Sequence, residues 1–207
     1  DPDAETRADY EKRMSDAAVE RDALSVFKDV VPRLANGTVI EVAANLGSLE
    51  EIDAAKEAGA MGVGLFRTEL LFMRHMHLPS EDMQAETYGP LAKAFAPSPV
   101  IVRTLDSGGD KPIAGIEFPE EENPFLGWRG IRMCLDRPDI FKQQLRALLR
   151  AAVHGNVKVM LPMVADVAEV RLTRALIDEC AAELKAEGTA FAPFALGVMI
   201  ETPAAVL

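Results

Sequence analysis

At 207 residues with 49% apolar content, the chain is long enough to bury the core of one domain, or of one domain with an appendage. Its formal charge of −11 repels phosphates, which argues against non-specific binding of nucleic acid or anionic membrane. An anion must therefore be held by a local cluster of arginines, and the lack of any run of about 18 apolar residues predicts no membrane-spanning helix.

The opening stretch, DPDAETRADYEKRM, is charged and has no apolar signal region, so secretion is not indicated. There is no initiator Met, and the chain stops at Leu207 inside an apolar stretch, so both ends read as cut. Residues 4–34 carry apolar side chains at helical spacing (Ala18, Val19, Leu24, Val26, Phe27, Val30, Val31, Leu34), which predicts a long amphipathic helix. Pro32 marks or kinks its end, and Asn36-Gly37 makes a turn. The pattern then changes to short apolar strands alternating with helices. Strands are predicted at 39–45, 62–68, 100–106, 157–164 and 194–201, as β-rich runs buried on both faces. Helices are predicted at 49–58, 81–94, 140–153 and 168–187. Such alternation builds a parallel sheet, either doubly wound or closed into a (β/α)₈ barrel. No G-x-G-x-x-G follows the first strand, which disfavours a dinucleotide fold. Five strand–helix units in this length scale to the usual size of an eight-unit barrel. The expectation is an α/β chain: a linker helix over 1–36, then a partial (β/α)₈ barrel over 37–207 with about five of its eight strands. Open sheet edges would make the isolated chain associate or partly unfold. Cys134 and Cys180 are the two cysteines, with no CxxC; they read as buried core or helix residues in a reducing cytoplasm.

Three predicted strands end in charged residues that a purely structural strand would not place there: Arg67, Arg103 and Glu201. In a barrel the C-terminal strand ends converge on one mouth. A lone arginine reads as a structural ion pair, whereas two arginines and a carboxylate at one mouth read as a site. The guanidinium fork suits phosphate and carboxylate, and a carboxylate beside such an anion calls for Mg²⁺ between them. Asn123-Pro124 can start a helix that sets Arg129 and Arg132 three apart on one face. The loop Ser107-Gly108-Gly109-Asp110-Lys111 lacks the first glycine and the Lys-Ser/Thr ending of a P-loop, though Lys111 could help neutralise a substrate. His75 and His77 lack the further ligands a metal site needs, and His154 reads as a helix C-terminal residue. Trp128, the single tryptophan, and the nine methionines read as packing residues.

Four blocks now stand out: GVGLFRTE over 62–69, VRTLDSGGDK over 102–111, ENPFLGWR over 122–129 and GVMIETPA over 197–204. In order and spacing they resemble the phosphoenolpyruvate–protein phosphotransferases, the Enzyme I family of the bacterial sugar phosphotransferase system, over nearly the whole chain. Dikinases and phosphoenolpyruvate synthases share three of the blocks; the T-L-D-x-G-G-D-K block points to Enzyme I, with Ser107 where an apolar residue is common. The resemblance implies that Arg67 and Arg103 grip the phosphate and carboxylate of phosphoenolpyruvate (PEP). Arg129, Asn123 and Lys111 would be further substrate-binding residues, and Glu201 the first Mg²⁺ carboxylate. It also implies that a second metal ligand, another arginine and the catalytic cysteine lie beyond Leu207, and that the phosphate-accepting histidine lies before Asp1. The chain alone would then be inactive and hold no catalytic residue. The whole protein would be a cytoplasmic homodimer that passes phosphate to the histidine phosphocarrier protein. Two alternatives stand beside it: a dikinase or synthase that charges its histidine from ATP, and a non-catalytic PEP-sensing barrel.

Overall fold

The computed structural model describes residues 2–108 and 113–207. Helix α1, Ala4–Leu24, begins where the Asp3 carboxylate accepts the Thr6 N–H at 2.8 Å. It passes into a 3₁₀ turn at Ser25–Phe27 and ends there, short of the predicted residue 34. Pro32 has no N–H to continue a helix and pushes its neighbour Val31 toward extended backbone. The chain then reverses through Gly37 (φ +85°), with the Leu34 N–H on the Thr38 carbonyl at 2.9 Å. The amphipathic reading needs correcting as well. Val19, Leu24, Val26, Phe27, Val30, Val31 and Leu34 are all exposed, and α1 buries none of its residues. The end of this segment meets the sheet region at Gly59, where a side chain would lie 2.1 Å from the Lys28 carbonyl oxygen; only glycine allows that approach.

Five strands follow: β1 Ala44–Leu46, β2 Val63–Arg67, β3 Val100–Arg103, β4 Val157–Leu161 and β5 Ala195–Val198. All pair in parallel, in the order β1-β2-β3-β4-β5. That order never reverses, unlike a doubly wound sheet, and each added strand lies beside its predecessor as in the (β/α) barrel series. Four of the five predicted strand windows contain the observed strand, and the first overlaps β1 at Ala44 and Asn45. The first is the poorest match, because residues 39–43 are exposed and lie outside the ladder.

Between the strands run α2 Ile52–Glu57, α3 Glu69–Met73, α4 Glu81–Phe95, α5 Gly130–Asp136, α6 Pro138–Ala151 and α7 Val167–Ala186, and α8 Pro203–Val206 follows β5. The short helix α3 carries too few turns to show a period, and the sequence pattern does not mark it; the sequence places the start of α5 earlier, at Asn123-Pro124. One core cluster joins β1–β4 to α4 and α6 through Phe66, Tyr88, Leu91, Val102 and Leu148. A second lies under α5–α7 around Phe72, Leu105, Phe141, Leu145 and Leu161. Each such side chain, fully buried, contributes about 1.5–3 kcal/mol. Outside the core, α4, α6 and α7 are tied by ion pairs. Arg146 reaches Glu81, Glu183 and Glu187 at 2.5, 3.1 and 2.5 Å, and Lys142 reaches Glu179 at 2.9 Å. These clamps hold the helices against a sheet whose C-terminal strand ends all open on one side.

Candidate functional site

Strands β2 and β3 end in register, Arg67 beside Arg103. Arg103 is buried, with Nη2 2.6 Å from Glu69 Oε1 and Nη1 3.2 Å from Asp106 Oδ2. Asp106 accepts from a second buried guanidinium as well, Arg129 Nε at 3.1 Å on Oδ1. One carboxylate thus bridges two arginines that enter from β3 and from the start of α5. The Thr68 hydroxyl donates to the Arg103 carbonyl at 2.9 Å and locks the two strand ends together. The Arg129 guanidinium also lies over the Phe125 ring, 4.7 Å from its centroid.

The opposite wall comes from the ends of β4 and β5. Glu201 Oε1 accepts the Met163 N–H at 2.6 Å, and the Thr202 hydroxyl donates to the Val164 carbonyl at 2.7 Å. Met163 is the one non-glycine residue with positive φ (59°) among the described residues. Gly130, itself at φ +54°, packs so tightly here that a side chain would lie 2.9 Å from Met163 Cγ and 3.3 Å from Asp106 Oδ1. The resulting cleft, about 640 Å³, is lined by Arg103, Asp106, Arg129, Arg132, Met163 and Glu201, with Phe125 and Leu126 at its lip.

Two guanidiniums against two carboxylates leave the cluster near neutral, so capacity for an anion rests on donors not yet used. Among the described residues, the buried Nε groups of Arg67 and Arg103 have no acceptor. A buried donor left unpaired costs about 1–3 kcal/mol. Glu201 is exposed, and no three His, Cys, Asp or Glu side chains gather as a metal cage among the described residues. The Cys134 thiol is buried and pushed well up by desolvation and by the Asp106 charge; burial raises the Cys180 thiol to about 12. Neither is a nucleophile at neutral pH.

A family model described as PEP-utilising enzyme, PEP-binding domain, matches residues 21–207. The chain belongs to this family. It is 43% identical to the phosphoenolpyruvate-protein phosphotransferase of Staphylococcus carnosus over 98% of its own length and 35% of the relative's. It is 42% identical to that of Listeria monocytogenes over all of its length and 36% of the relative's. The Haemophilus influenzae protein of the same name is 42% identical over 91% of the chain and 33% of the relative. The chain thus spans about a third of the length of the curated relatives it matches.

Within this PEP-binding domain, the structure brings Arg103, Arg129 and Glu201 onto one cleft. Arg67 stands next to Arg103 in the sheet but does not line the cleft. Asn123 is exposed and is not itself among the lining residues, although its carbonyl accepts the N–H of the lining residue Leu126, and Lys111 lies outside the described residues. The helix expected from Asn123-Pro124 is a correction. Residues 123–127 form turns, with Leu126 N–H on the Asn123 carbonyl, and Glu121 accepts the Trp128 N–H at 3.0 Å. Helix α5 starts only at Gly130, with Arg129 as its extended N-cap residue, so Arg129 and Arg132 do not share a helix face. Trp128 is half-buried, edge-on to Phe118, with Nε1 donating to Asp136 at 3.1 Å. Sequence reasoning missed Glu69 and Asp106 as the partners that orient the arginines, although both stand inside the quoted blocks. No helix among the described residues is long and apolar enough to cross a membrane.

Proposed function

We propose that this PEP-binding domain serves the phosphoryl-transfer reaction of an Enzyme I. Arg67, Arg103 and Arg129 would hold the phosphate and carboxylate of PEP, with Lys111 and Asn123 as further contacts. The observation that carries this is the pair of buried arginines sharing Asp106 across one cleft from Glu201, together with the orphaned Nε groups of Arg67 and Arg103. Burying two guanidiniums is costly and weak evidence for stability alone, but it pre-orients donors for a dianion.

The residues fit Mg²⁺: Glu201 offers an exposed carboxylate at the cleft, and this hard ion takes one or two carboxylates plus substrate phosphate without a protein cage. When bound, it would supply positive charge to the transferring phosphoryl group. The arginines hold the donor in line, the bridging C–O–P linkage breaks at phosphorus, and the phosphoryl group passes to a histidine imidazole elsewhere in the whole protein. The enolate left behind takes a proton to become pyruvate. The phosphohistidine then charges the histidine phosphocarrier protein.

In this reading residues 1–36 are a linker built on α1 and 37–207 the first five units of a (β/α)₈ barrel, in a cytoplasmic homodimer. The chain by itself binds but does not turn over. The test is a PEP titration with and without Mg²⁺, followed by Trp128 fluorescence, since Trp128 adjoins Arg129. A saturable, Mg²⁺-dependent change that is lost in Arg103→Ala is expected. A folded chain that gives no change would refute binding by these five strands, and pyruvate release above a blank would refute the inactivity.

A further inference from the structure

Strand β3 stops at Arg103, and the last ladder bond there runs from the Thr104 N–H to the Met160 carbonyl at 3.0 Å. The next two peptide groups are gripped by side chains instead. The Leu105 N–H donates to Gln144 Oε1 at 2.9 Å, and its carbonyl accepts from Cys134 Sγ at 3.6 Å. Leu105 directly precedes Asp106, so the orientation of the peptide groups on either side of it decides where the shared carboxylate points relative to Arg103 and Arg129.

Gln144 is the end of a longer chain. Its Nε2 donates to Tyr88 Oη at 3.2 Å, the Tyr88 hydroxyl donates to Gln84 Oε1 at 3.1 Å, and Gln84 Nε2 donates to the Pro79 carbonyl at 3.0 Å. All three side chains are at most 1% exposed. The direction of every proton is set from both ends, because a backbone N–H can only donate and a carbonyl can only accept. Neither amide can flip without leaving buried groups unpaired. Apolar residues would fill this space at less desolvation cost, whereas a fully satisfied polar chain rigidifies what it touches.

We propose that the Gln84–Tyr88–Gln144 chain is a positioning device for the anion site, holding the Leu105 peptide so that Asp106 keeps Arg103 and Arg129 at the spacing that receives PEP. It rests on the PEP reading above but acts through groups that touch no substrate.

Two substitutions separate positioning from bulk stability in the 207-residue chain. Gln144→Leu keeps the volume and removes the acceptor for Leu105. Gln144→Glu, kept neutral by burial, retains that acceptor and a donor to Tyr88. The readouts are the guanidinium NMR signals of Arg103 and Arg129, and PEP affinity from Trp128 fluorescence. Gln144→Leu should shift both signals and weaken binding about tenfold. Gln144→Glu should leave both near their unsubstituted values even while it melts lower. Unchanged guanidinium signals in Gln144→Leu, or affinity that merely follows the melting temperature across the two variants, would overturn the inference. If Gln144→Leu does not fold, Tyr88→Phe cuts the chain one link further out and must move the same signals. An unsubstituted chain that binds no PEP would sink the functional reading, while the guanidinium signals would still decide this one.

Discussion

Replacing Asp106 by asparagine keeps the shape of the side chain and removes the negative charge that Arg103 and Arg129 share. Side-chain exposure at this point is 10% for Arg103, 5% for Asp106 and 3% for Arg129, so solvent screening discounts little of the interaction. At an effective dielectric of about 20, unit charges about 4 Å apart attract by about 4 kcal/mol. Two such attractions are lost. Against that, the variant no longer desolvates a carboxylate, and Arg103 keeps Glu69 at 2.6 Å. Removing one partner of a buried pair costs about 3–5 kcal/mol, and that is the expected loss here. For a chain of this size it corresponds to a melting temperature lower by about 6–20 °C. Calorimetry, or urea unfolding with an unchanged m-value, measures it. At equal concentration PEP should then stabilise Asp106→Asn less than the unsubstituted chain, because the two guanidiniums are no longer held at a common spacing. For the unsubstituted chain at a hundredfold excess over its Kd the gain is about 2.7 kcal/mol. A loss below about 1 kcal/mol would refute the argument that this shared carboxylate is what holds the two arginines.

Gly130→Ala should destabilise by about 1–3 kcal/mol, since the residue sits at φ +54° and the new methyl meets Met163. The same variant should weaken PEP binding in the fluorescence titration, because displacing Met163 moves the backbone N–H that holds Glu201. A variant that melts and binds like the unsubstituted chain would contradict both points. On the outer face, hydrogen bonding from Lys142 holds the Glu183 carboxyl below its ordinary 4.5. A group with a depressed folded-state pKa contributes stability above its unfolded value and loses it as pH falls through the folded value. Melting temperature should therefore fall more steeply below pH 4.5 in the unsubstituted chain than in Glu183→Gln. Parallel curves in a melt series would show that this clamp carries no pH-dependent stability.

The strands were legible because a parallel strand is a continuous β-rich run, and β2 to β5 all lie inside their expected windows, although β5 at the sheet edge is exposed or half-buried rather than buried on both faces as expected. The helices with several turns, α4, α6 and α7, were legible from their period for the same reason. Reading the N-terminal segment as amphipathic went further than its packing does. Spacing reports which residues share a face, and only a packed partner can bury that face; α1 has none among the described residues.

By itself, the sequence determined the alternation of elements, the family blocks, and which charged residues stand at strand ends, because each is encoded within a few neighbouring positions. Tertiary structure alone decided what those charges face. Arg103 meets Glu69 across 34 positions and Asp106 meets Arg129 across 23, through pairings that exist only once β2 and β3 lie in register and α5 folds over their ends. It likewise decided that Arg67 stands beside the cleft without lining it, that Asn123 stays in solvent, and that a buried amide on α6 grips the peptide behind Asp106. Side-chain direction at a strand end is set by register and by the neighbours that satisfy its polar groups, and neither is written in local sequence.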